Sequence, residues 1–281
     1  MNQPLPLDSQ PGFIARNLPL LHLLNPGRLT PWVFLSLLAG VAMGYVVHVL
    51  WGLPLWVITL IVLLGMLPVG IVKWRADKRR WGWVVMLISI LMVTQGTHTI
   101  EHLVQWVEYH VLFWTPRQSN GLLSPANSEW VHFVWNWGVL IWVSILIFKG
   151  KVHGFFSYLL LTIAAGHTLE HTYMFFRHIS LLNELQVLCV TGVGAQGLPG
   201  IFGRDGWLAR SAVTYGTPVS SLPGLTTAIR LDVHFWWNAI EMTLLMLAAH
   251  FYLRGVFNPR PQKPAAQPIS TAQPLTAVKP S

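Results

Sequence analysis

Cysteine is all but missing from this chain. Cys189 is the only one in 281 residues, which excludes an internal disulfide and any metal site built on thiolates. Charge is scarce too, at 10% of residues against 53% hydrophobic. A soluble domain carries roughly 25% charged residues, so this balance excludes that class and points to a polytopic membrane protein. An apolar signal-peptide core is also lacking: Pro, Asp and Arg interrupt the segment from Met1 to Arg28, and no cleavable leader is expected. The tail from Pro259 to Ser281 has no apolar periodicity, is rich in Pro, Gln and Ala, and reads as disordered. The glycines from Gly192 to Gly197 follow no strand of a βαβ unit, so they are not a dinucleotide fingerprint.

Long apolar runs are what the chain has in abundance. Four lie near 31–52, 53–74, 82–113 and 153–176, and two more, with polar interruptions, lie near 130–149 and 232–253. Each can cross a hydrocarbon core of about 30 Å. The expectation is an all-α, multi-pass protein of a cell (inner) membrane with six transmembrane helices. It divides into an N-terminal segment (1–30), two peripheral helices and a basic loop (31–81), a first motif hairpin (82–149), a second motif hairpin (150–253) with a long external loop at 181–230, and a tail (254–281). The piece from Pro11 to Leu24 reads as a short surface helix. The net charge of +8 follows topology. Thirteen basic residues fall on one side, among them Lys73, Arg75, Lys78, Arg79, Arg80, Lys149, Lys151 and Arg254, and only Arg117, Arg177, Arg204, Arg210 and Arg230 on the other. The positive-inside rule then puts both termini in the cytoplasm, and a nucleic-acid partner is not expected.

The pentad His-Thr-X-Glu-His occurs twice, as His98-Thr99-Ile100-Glu101-His102 and His167-Thr168-Leu169-Glu170-His171. A second word follows each copy: Val131-His132-Phe133-Val134-Trp135-Asn136 and Val233-His234-Phe235-Trp236-Trp237-Asn238. Residues i, i+3 and i+4 share a helical face, so His, Glu and His of each pentad project together. Counting rise along the spans brings all four words to one depth, near the non-cytoplasmic leaflet. The expectation is two copies of one hairpin, related by a pseudo-two-fold axis along the membrane normal, forming a four-helix bundle with the motifs inside.

Ionisable groups are costly in hydrocarbon and mark function there. His98, Glu101, His102, His132, His167, Glu170, His171 and His234 form a candidate ligand set for two metal ions, iron first, then copper or zinc. Glu101 and Glu170 would bridge the metals or move protons. Asn136 and Asn238 would be weak ligands or would fix a ligand tautomer from behind, and Thr99 and Thr168 would bond their own backbone. Glu241 has Val139 at the equivalent place in the first half; as an unpaired acid below His234 it is a candidate proton donor. The His-X-X-X-His spacing resembles that of histidine-box di-iron hydroxylases and desaturases in ligand chemistry only, since the further boxes of those enzymes are absent. The reading is a metal-dependent membrane oxidoreductase acting on a lipid-like or small apolar substrate, with an electron donor or membrane-complex partner at the external loop. Alternatives are a periplasm-facing metal transport or binding protein, a haem-b electron carrier, a peptidase on the His-X-X-Glu-His pattern, or a polar network that merely joins helices.

Overall fold

The computed structural model describes residue 13 and residues 17–190 and 197–258. Thr191 to Gln196, Pro259 to Ser281 and most of the N-terminal segment lie outside the described residues. Among the described residues all regular structure is helical: α1 (Pro19–Leu24), α2 (Thr30–Trp51), α3 (Leu55–Trp81), α4 (Trp83–His110), α5 (Glu129–Phe148), α6 (Phe155–Val187), α7 (Trp207–Arg210) and α8 (Arg230–Phe257), with short 3-10 turns between them. This is a multi-pass membrane protein: α2 (with the 3-10 turn before it), α3, α4, α5 and α8 are each long and apolar enough to cross a bilayer. At 33 residues α6 is the longest helix, yet it does not reach the same apolarity, because the second pentad interrupts its apolar run. Five such helices, rather than the six expected, meet that standard.

Helices α2 and α3 form a hairpin whose contact depends on Gly40 and Gly44. A Cβ on Gly44 would stand 2.5 Å from Ile58 Cγ2, and one on Gly40 would stand 3.0 Å from Val62 Cα. Small residues four apart let two apolar helices approach where no hydrophobic drive joins them. This hairpin leans on the rest of the molecule through α3 and α4.

The other four long helices close a ring in the order α4, α5, α6, α8. The most extensive faces, α5 on α6 and α4 on α8, run between the two motif halves, whereas α4 and α5, which belong to one half, share the least extensive face of the ring. One end of the bundle is packed with apolar side chains, including Ile88, Val143, Ile147, Leu245, Ala249 and Leu253. Helix α1 seals that end: His22 lies edge-on to Phe257 at 5.0 Å, and Trp81 meets Phe257 at 4.8 Å. Burial, with Arg80 and Lys73 close by, lowers the pKa of His22.

At the other end α6 continues through 181–187, so the long loop begins at Leu188 rather than near Leu181. Nor is it structureless. It holds α7 and a 3-10 turn, and its strands of coil cross through Gly203 N to Leu225 O and Arg204 N to Ala228 O, both 2.8 Å. Similarly, α8 runs on to Phe257, into what reads from the sequence as the start of the tail.

Candidate metal centre

The two pentads and their partner words meet inside the ring. His98, His102 and His132 present ligand nitrogens that all lie within 4.8 Å of one another, a grouping that can hold a metal ion. From the second half, His171 sits 4.9 Å, ring to ring, from both His167 and His234. The halves join through His132 and His171, whose rings stack at 4.8 Å, and through His102 and His234 at 5.8 Å. Five of the six rings are buried outright, while His98 retains partial exposure.

Hydrogen bonds fix which nitrogen of several rings carries the proton. His132 Nδ1 lies 3.3 Å from the carbonyl of Ser128, and His234 Nδ1 lies 2.9 Å from that of Arg230. A carbonyl only accepts, so each Nδ1 is the donor and each Nε2 carries a lone pair. His102 is fixed through a chain. Asn127 Nδ2 donates to the Asn120 carbonyl, which leaves Asn127 Oδ1 to accept from Gln105 Nε2 and Gln105 Oε1 to accept from His102 Nδ1 at 3.0 Å. His102 Nε2 is therefore a lone pair as well. It faces His132 Nε2 at 3.3 Å. Two lone pairs pointed at each other are repulsive, and a cation between them turns the repulsion into two bonds.

Elsewhere in the cluster, His98 Nε2, His167 Nε2, His234 Nε2 and both nitrogens of His171 are buried with no partner. Each such atom costs about 1–3 kcal/mol. Histidines that serve only to join helices satisfy both nitrogens. These do not.

The pentad glutamates face the loops instead of the imidazole cluster. Glu101 accepts from Leu122 N at 2.8 Å and Leu123 N at 3.0 Å; Glu170 accepts from Ile201 N at 3.0 Å and Phe202 N at 3.4 Å. The preceding glycine in each loop is required, because a Cβ on Gly121 or Gly200 would fall on the carboxylate of Glu101 or Glu170. Each glutamate thus ties down the lid of its own half. Gly121 N on Glu108 and Arg177 on Pro199 O reinforce the two lids, and Arg230 joins Leu198 O to the buried Glu129 at 2.7 Å.

Asn136 and Asn238 do not touch an imidazole. Their Nδ2 groups donate to the carbonyls of His132 and His234, one turn back. Thr99 and Thr168 likewise bond to Gln95 O and Ala164 O in their own helices. Glu241, expected to be unpaired, accepts from His167 Nδ1 at 3.0 Å and from Gln95 Nε2 at 3.1 Å. Only its Oε1 lacks a partner. Gln95 also donates to Asn238 Oδ1 at 3.3 Å, and its Oε1 accepts from Trp135 Nε1 at 3.1 Å. Trp135 stacks on His98 and Trp237 on His167, both at 5.3 Å.

Sequence reasoning passed over Gln95 and Gln105, and it gave no role to Trp135 and Trp237 although both stand in the repeated words. A signal existed for the first two: Gln95, His98, His102 and Gln105 follow 3-4-3 spacing and form one polar stripe on an apolar helix.

The chain matches no known protein family, no curated protein and no solved structure.

Proposed function

We propose that this chain is an integral membrane oxidoreductase whose six core histidines hold two transition-metal ions, His98, His102 and His132 at one and His167, His171 and His234 at the other. The observation that carries the reading is the pair of lone pairs, His102 Nε2 and His132 Nε2, held face to face by hydrogen bonds on the far side of each ring. Fixing a ligand from its other nitrogen is how proteins orient metal-binding imidazole.

With Glu101 and Glu170 committed to the lids, the donor set becomes imidazole alone. That moves the expected metal from iron with bridging carboxylates toward copper, which binds nitrogen ligands most tightly among the divalent first-row ions. Glu241 is then a positioning residue: its carboxylate aligns His167 and offsets metal charge. The same commitment of Glu101 and Glu170 leaves the pentads without the free glutamate a peptidase needs. Metal transport is disfavoured by the apolar packing of Ile88, Val143, Ile147 and Leu245 across the bundle on the α1 side of the site. We read α6 as a sixth crossing shielded by α5 and α8, the motif halves as copies of one hairpin about a two-fold axis, and both termini as cytoplasmic.

Elemental analysis and an optical spectrum of the detergent-purified protein test this. About two copper ions per chain are expected, each with three protein ligands and an open position. A Soret band would replace the reading with haem, and stoichiometric zinc alone would remove redox chemistry from it.

A further inference from the structure

One cleft reaches His98 of the candidate metal centre, and its walls describe what comes in. A cleft of about 660 Å³ runs between the α2–α3 hairpin and the α4–α5 side of the ring, within the roughly 300–1,000 Å³ of small-molecule sites. It is long. Trp74, seven residues before the end of α3 at Trp81, lines one end, and Glu101, 18 residues after the start of α4 at Trp83, lines the other. At 1.5 Å per residue those depths differ by about 17 Å.

Apart from the indole N–H of Trp74, the polar side chains of α3 and α4 that line it are already engaged, with one exception. Thr94 and Thr97 donate to the carbonyls of Ile90 and Val93 in their own helix, Lys73 pairs with Asp77 at 2.7 Å, and Glu101 is held by its lid. His98 is the exception, with Nε2 buried and unpartnered. A second cleft of about 500 Å³ opens along the α4–α5 seam beside Gly138 and shares Thr94, Val131 and Trp135 with the first. That seam is the least packed face of the ring, and Val134 on its wall is 64% exposed. In the second half the equivalent indole, Trp237, is itself packed from behind, against Gly166 and with Phe202 at 5.7 Å, and His167 beside it is fully buried.

Resting on the redox reading above, we infer that the substrate is an extended hydrocarbon chain that enters sideways from the bilayer through the α4–α5 seam and lies in the slot with one segment against His98. A compact molecule would leave most of a 17 Å slot empty; a polar one would find few partners along its apolar walls before it reached the imidazole.

The test uses the full chain in lipid nanodiscs with two photoreactive probes, a hexadecanoic acid and a headless hexadecane, each bearing a mid-chain diazirine. Cross-links are expected on the cleft walls at Val93, Thr97 and Val131, saturable and displaced by unlabelled hexadecane. Met66→Trp and Val93→Trp, which fill the slot from opposite walls and leave the histidines alone, should each reduce labelling about tenfold, equivalent to about 1.4 kcal/mol, with metal content unchanged. Stronger labelling by the acid that Lys73→Met abolishes would identify an acyl chain as the source; equal labelling would identify a headless hydrocarbon. Labelling that does not saturate, that spreads evenly onto Phe34 and Leu38 of α2, or that survives both variants would overturn the inference. Saturable labelling of protein that binds no metal would refute the redox reading alone and leave the chain-binding slot intact.

Discussion

The two motif halves share a vocabulary and differ in access. Each has a pentad whose glutamate holds its lid, a glycine that clears space for that carboxylate, a tryptophan stacked on the first histidine, and an asparagine bonded one turn back. The first half has its three ligand nitrogens drawn within 4.8 Å and leaves His98 partly open to a cleft. In the second, His167 is fully buried, lies against a packed tryptophan and is paired with Glu241, a carboxylate the first half lacks. The lesson is that two near-identical sets of side chains can end in unlike surroundings. The first triad is partly open, whereas the second is closed and stands next to a buried carboxylate.

The largest effects should come from the ligands. His102→Ala combined with His132→Ala should remove the first-half ion, and His171→Ala with His234→Ala the second, each read as loss of about half the bound metal by elemental analysis. Full stoichiometry in a His102→Ala/His171→Ala protein would reduce the histidines to helix packing. Next is Glu241→Gln, which keeps shape and removes charge. It should weaken metal binding at the second half about 10–100-fold, measured by chelator competition, with the first half unaffected. If turnover falls while both affinities hold, Glu241 donates protons instead of steadying an ion.

The lids should respond in both halves, unequally. Gly200→Ala overpacks the carboxylate of Glu170 and should cost about 1–3 kcal/mol in thermal unfolding. Gly121→Ala does the same to Glu101 and also forces alanine to a φ of +68°, adding about 1 kcal/mol. Equal melting temperatures for the two variants would mean the backbone at Gly121 relaxes.

Smaller still is the contrast between the asparagines. Asn136→Ala removes a bond to its own helix and should cost about 1 kcal/mol or less, while Asn238→Ala also leaves one Gln95 Nε2 hydrogen without its acceptor in the core and should cost about 1–3 kcal/mol. The least perturbing test concerns which side the site faces. Cys189, exposed just past α6, should react with a membrane-impermeant maleimide in intact cells; reaction only after permeabilisation would invert the topology and put both lids in the cytoplasm.

Much of this was readable from residue order. The 3.6-residue period puts His98 with His102 and His167 with His171 on single faces, and apolar run lengths set the helices. The roles of Glu101, Glu170 and Glu241 were not readable, because a carboxylate beside two histidines looks alike whether it points at a metal or at a loop. The choice rests on Leu122, Leu123, Ile201 and Phe202, more than 20 residues away, whose backbone N–H groups carry no signature in the side-chain sequence.

By itself, then, the sequence determined that this is a membrane protein of long helices with two histidine-rich words repeated at matching depth. The cost of burying charge in hydrocarbon leaves few other uses for such residues. Only the tertiary structure decided that α4 and α5 share the least extensive face of the ring, that the pentad glutamates serve the lids, and that two imidazole lone pairs face each other. Those outcomes depend on which helix faces meet, and helices assembled in an apolar solvent are set by close packing and interhelical hydrogen bonds that no single segment encodes.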